Sequence, residues 1–97
     1  MNNLYAFGIG IGTKNNTGEW LEVFYPEPML APSDELAAIV VACLGSHNGD
    51  IEPSQEALAA LINALLQNGY NQLAETVTAL KASSKPVVAI MLSTDAA

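Results

Sequence analysis

The chain has no arginine, and among its 97 residues there are only three lysines, one cysteine and one histidine. Ten acids against three lysines give a formal net charge of −7. Phosphate backbones are gripped by clustered Lys and Arg, so nucleic acid is excluded as an expected partner. Anionic membrane surfaces are disfavoured on the same ground. The missing arginine also removes the bidentate clamp that fits a carboxylate or phosphate. A single cysteine, Cys43, excludes an intrachain disulfide and fits a reducing cytosol. It sits in the apolar run LAAIVVACLG, which reads as a buried structural thiol and not a nucleophile. That run is far short of the ~20 residues needed to span a bilayer, and no basic-then-apolar leader opens the chain. A cytoplasmic protein is expected, with no membrane partner.

What is present is a composition that folds: 51% hydrophobic and 13% charged residues. This length suits one domain over residues 1–97. Residues 3–13 and 19–25 read as two strands around the turn cluster KNNTGE. A four-residue loop would pair Ile11 with Glu22 and force an acid onto the apolar face. A three-residue loop, Asn16-Thr17-Gly18, pairs Ile11 with Val23 and Ile9 with Tyr25. One face then carries Tyr5, Phe7, Ile9, Ile11, Leu21, Val23 and Tyr25, all suited to a core. Because a one-residue slip inverts every side chain, this separation selects the three-residue loop, with Gly18 left-handed in a bulged turn.

The proline-rich stretch YPEPMLAPSDE reads as an extended connection. Ser33 is a fitting N-cap, with Asp34 and Glu35 in a first helical turn. Leu36, Ile39, Val40, Cys43 and Leu44 follow helical spacing up to Gly45. SHNGDIEP reads as a loop. A second helix starts at Ser54 and ends at Asn68-Gly69, striped by Leu58, Leu61, Ile62, Leu65 and Leu66. A third runs from Asn71 to about Ala82, burying Leu73, Val77 and Leu80. VVAIMLS reads as a strand buried on both faces, beside the first strand. The expected fold is α/β (α+β), a two-layer sandwich of about three helices on a small three-stranded mixed sheet, in the order β-β-α-α-α-β.

Little in this pattern carries chemistry. AFGIGIGT has G-x-G-x-G spacing and leads into a second strand, whereas a phosphate-binding fingerprint opens a helix. His47, Asp50 and Glu52 fall within six residues, but no second ligand pair exists for zinc and the calcium-loop spacing fails. The expectation is therefore no catalytic, cofactor-binding or metal-binding residue. One surface feature survives. The sheet face opposite the core carries Leu4, Ala6, the three glycines Gly8, Gly10 and Gly12, Trp20, Glu22 and Phe24, with Phe24 placed to drape over Gly10. Trp20, Glu22 and Phe24 are the candidate interaction face. Two readings stand: a patch covered locally by the proline-rich connection, or a docking surface for another domain or subunit.

AFGIGIGTKNNTGEWLEVFYPEPML, P-S-x-E-L at residues 32–36 and SSKPVVAIMLSTDAA together resemble the amino-terminal domain of the tetrahydrodipicolinate N-succinyltransferases, in their longer form. The resemblance implies a bacterial, cytoplasmic, trimeric enzyme of the diaminopimelate branch of lysine biosynthesis, using succinyl-CoA as co-substrate. It implies that the acyl-transfer residues lie in a left-handed β-helix built on hexapeptide repeats. This chain has no such repeat, so no family site residue has a counterpart here. The expected role is a non-catalytic N-terminal domain, inactive alone, whose partners are the catalytic β-helix domain and neighbouring subunits. The rival is a free-standing protein-interaction module using the aromatic sheet face.

Overall fold

The computed structural model describes residues 4–26, 29–30 and 32–93. Its elements run β1 (Leu4–Lys14), β2 (Trp20–Phe24), β3 (Met29–Leu30), α1 (Asp34–Leu44), β4 (Gly49–Ile51), α2 (Gln55–Gln67), α3 (Asn71–Ala82) and β5 (Val87–Ser93). The α+β class and the three helices agree with the sequence reading, but the sheet does not. Instead of three strands in a mixed sheet, β2-β1-β5-β4 lie side by side, every pair antiparallel, and β3 adds a short pairing to β1. The order is β-β-β-α-β-α-α-β.

Both missed strands are too short for alternation to mark them. β4 falls inside SHNGDIEP and gains its backbone partners only because β5 offers a free edge, pairing Asp50 with Ile90. β3 falls in the proline-rich connection, where Met29 meets Phe7. Since β5 pairs β1 from Leu4 to Ile11, β2 and β3 share the opposite edge of β1. Backbone groups need partners wherever they leave water; β3 supplies them to Ala6 and Phe7 of β1, and β4 to the outer edge of β5.

The helices cover one face of the sheet. Phe7 and Ile9 of β1, with Ala89 and Met91 of β5, meet Leu36 and Val40 of α1, Leu58, Leu61 and Leu65 of α2, and Val77 of α3. All lie on the faces that helical or alternating spacing selected. Leu4 departs from the reading, since it is buried in this core and not on the outer face. The pairing slips by one between Leu4 and Ala6, and that irregularity reverses Leu4. The expected core position of the Tyr5 side chain lies outside the described residues.

The helix ends follow local chemistry. Ser33 Oγ accepts from the Leu36 amide at 3.2 Å, and Ser54 Oγ from the Ala57 amide at 3.0 Å. α2 stops at Asn68, where the Gly69 amide donates to the Leu66 carbonyl and the Tyr70 amide to Leu65, the paired bonds of a Schellman end. α3 has no side-chain cap. Its preceding residue, Tyr70, instead donates its hydroxyl to Glu35 Oε1 at 2.9 Å and lies 3.2 Å from Ser33 Oγ. The start of α1 is thereby tied to the α2–α3 corner.

Candidate interaction surface

The hairpin loop is the three-residue one. The Asn15 amide donates to the Glu19 carbonyl at 3.0 Å and the Gly18 amide to the Asn15 carbonyl at 3.1 Å. Gly18 has φ of 86°, the left-handed position that a residue without Cβ takes at least cost. Lys14 then pairs with Trp20, in the register that loop sets. Beyond it the register changes. Ile11 faces Phe24 and Gly12 faces Val23, so the expected Ile11–Val23 pairing is off by one.

The physical reason is a bulge of the Trp20–Leu21 step against Thr13–Lys14. A bulge bends and twists its strand, and here it turns β2 onto the glycine side of β1. A Cβ on Gly10 would lie 1.7 Å from the Phe24 carbonyl oxygen, so only glycine permits the crossing. The Trp20 ring lies on Gly12, and the Tyr25 ring lies beside Gly8. The glycines therefore do not flatten an open face; they make room for the neighbouring strand. Beneath the crossing Val88 is fully buried, although it points away from the helix-covered core.

Two polar ties fasten this crossing. Tyr25 Oη donates to Asp50 Oδ1 at 2.8 Å, joining the chain just after β2 to β4 at the other edge of the sheet. Burial, then that hydrogen bond and the Asp50 charge, push the Tyr25 phenol well above its ordinary value of 10.0. Lys14 forms an ion pair with Glu52, and its ammonium lies 4.7 Å from the centre of the Trp20 ring. His47 Nε2 lies 3.1 Å from the Leu44 carbonyl oxygen. His47, Asp50 and Glu52 thus turn to three different partners and do not converge. Cys43 is half-buried against the core, and burial pushes its thiol up, away from the reactive thiolate.

The bulge also divides the expected face. Trp20 is half-buried on Gly12. Glu22 and Phe24 instead line, with Ile11, Thr13 and Lys85, a concavity of about 170 Å³. Phe24 does not drape its ring over Gly10: its backbone crosses there, and the residue is 65% exposed. Leu21 and Val23, expected in the core, are 63% and 39% exposed. Three of the four exposed large apolar side chains among the described residues are therefore on β2; Leu66 is the fourth. WLEVF did contain this signal, because it is apolar at both parities. Helices cover only one face of the sheet, so one set of those side chains stays outside, and at this edge Phe24 of the other set is exposed as well. The far edge of β2 carries no strand among the described residues.

Among the described residues, no helix is long and apolar enough to cross a membrane. No protein-family model matches the chain. Curated relatives do. The 2,3,4,5-tetrahydropyridine-2,6-dicarboxylate N-succinyltransferase of Pseudomonas putida is 43% identical over 98 residues, covering 99% of this chain and 28% of the relative. Its namesake in Pseudomonas aeruginosa is 40% identical over 98% of this chain, and that of Vibrio cholerae 35% identical over 94%. In each case the matched region is the relative's N-terminal part. The chain spans little more than a quarter of the length of these proteins.

Proposed function

We propose that this chain, similar along nearly its whole length to the N-terminal part of tetrahydropyridine-dicarboxylate N-succinyltransferases, is the non-catalytic N-terminal domain of such an enzyme. It serves packing and assembly within a cytoplasmic enzyme of lysine biosynthesis. The succinyl donor, succinyl-CoA, and the acceptor would bind in the remainder of the protein. One observation carries the reading: the match takes in 99% of this chain but 28% of the relative.

The side chains support it. Acyl transfer to an amine needs a base within reach of the nucleophile and donors aimed at the developing oxyanion. Here the polar groups with most chemical potential are turned to structural use: Asp50 on Tyr25, Glu52 on Lys14, and Glu35 on Tyr70. Among the described residues, an apolar feature left without such a use is the exposed β2 strand. A free-standing interaction module would use the same strand.

The test is an assay of the 97-residue chain with succinyl-CoA and tetrahydropyridine-dicarboxylate. Product should form no faster than in buffer. Turnover by the chain alone would overturn the non-catalytic role.

A further inference from the structure

The geometry points to β2 as the docking edge of this domain, filled in the whole enzyme by an extended segment from the rest of the succinyltransferase, with a lysine or arginine opposite Glu22. The source of that segment rests on the proposed function; the edge and its chemistry rest on the structure.

The edge is built for a strand. The Glu22 and Phe24 carbonyl oxygens lie on the β1 side, over Gly12 and Gly10. Past the bulge, alternation then leaves the backbone N–H and C=O of Val23, with the Leu21 carbonyl, on the free side, ready to accept a new neighbour. The Leu21 and Val23 side chains are exposed at the same place, and Phe24 rims the adjacent concavity. Exposed apolar edge strands invite pairing, and proteins generally cover or charge them.

Charge decides the occupant. Glu22 has no ion-pair or hydrogen-bond partner among the described residues. A second copy could pair its own β2 antiparallel to this one through Leu21 and Val23. The register that matches all five residues sets Glu22 directly against its counterpart, and like charges so opposed destabilise a sheet. That full-length self-pairing is thereby disfavoured, whereas a basic strand meets Glu22 with the opposite charge. Since this chain covers 28% of the Pseudomonas putida relative, most of such an enzyme is available to supply that segment.

Backbone hydrogen exchange tests the docking. Residues 20–24 are compared in the isolated chain, in the intact Pseudomonas putida enzyme at the matched positions, and in that enzyme with this chain grafted in place of its N-terminal part. Val23 should exchange on the order of tenfold slower in the intact enzymes than in the isolated chain. Glu22→Lys should abolish that protection in the graft, Glu22→Gln should weaken it, and neither should move the unfolding midpoint of the isolated chain. Equal exchange in the isolated and intact forms, or protection that survives Glu22→Lys, would overturn the docking edge. Protection confined to α2 around the exposed Leu66 would overturn it too, while leaving the packing role standing. Slowed exchange in the isolated chain as its concentration rises would show that a second copy is the occupant, and would also overturn it. Turnover by the isolated chain is a separate result and bears on the proposed function alone.

Discussion

The two strands that flank β1 have opposite fates. β5 pairs with β1 from Leu4 to Ile11, regular from Ala6 onward, and buries side chains on both faces, Met91 toward the helices and Val88 away from them. β2 pairs with four residues of β1, slips by one at Leu21, and leaves most of its side chains in solvent. Both read as apolar strands. The difference is position: among the described residues β5 has a strand on each side, whereas β2 has one strand neighbour and a free edge. Apolar character alone shows that a surface can be buried, not what buries it.

The sharpest break of this comparison is at the crossing point. Gly10→Ala sets a methyl group against the Phe24 backbone, and backbone cannot rotate aside. The chain should lose about 3 kcal/mol or more, read as a lower denaturant midpoint, with Trp20 fluorescence shifting as its ring lifts from Gly12. No loss, or a gain of about 0.5–1 kcal/mol as at an open glycine in a strand, would show that β2 does not cross there.

The next pair applies one truncation to both strands. Val88→Ala removes a fully buried side chain and should cost about 2 kcal/mol, transfer and cavity together. Val23→Ala, on the exposed strand, should stay within about 0.5 kcal/mol in the isolated chain. Equal losses in denaturant titrations would erase the distinction between the strands.

Tyr25→Phe tests the tie between the sheet edges and should cost about 1 kcal/mol, since Asp50 is exposed and water can replace the phenol. Its pH dependence has a definite sign. Folding raises the Tyr25 pKa above 10.0, so the folded chain holds this proton more tightly than the unfolded chain does. The contribution is fully present below about pH 10 and is lost as pH rises through the elevated folded value. The stability difference between the native chain and Tyr25→Phe should therefore be flat below that pH and shrink above it. A difference that changes between pH 5 and 8 would assign it to another group.

Much of the helical layer was legible because its signals are local. Ser33 and Ser54 cap with their own hydroxyls, and Gly45 and Asn68-Gly69 stop helices with their own backbones. Leu58, Leu61 and Leu65 share a face by spacing alone. The hairpin loop was legible for the same reason, down to the left-handed Gly18. The register beyond the loop was not. The alternation rule assumed an unbulged strand, and a bulge at Leu21 gives no signal in the apolar pattern of WLEVF. The short strands at Gly49–Ile51 and Met29–Leu30 were missed because their pairing energy belongs to β5 and β1, not to their own residues.

Of the candidate face, Trp20, Glu22 and Phe24 were named on the assumption that alternate residues share a side. The bulge broke that assumption by leaving Trp20 on Gly12 and Phe24 exposed at the concavity, and it exposed Leu21 and Val23 in place of burying them.

By itself the sequence determined where helices begin and end, which face of each helix meets the core, and how the first turn is made, because each depends on neighbours a few residues apart. It also carried the alternate glycines that let one strand cross another. Only the tertiary structure decided what crosses them. Which strand gains two neighbours and which keeps an open edge depends on partners brought from distant parts of the chain, and no local preference encodes that choice.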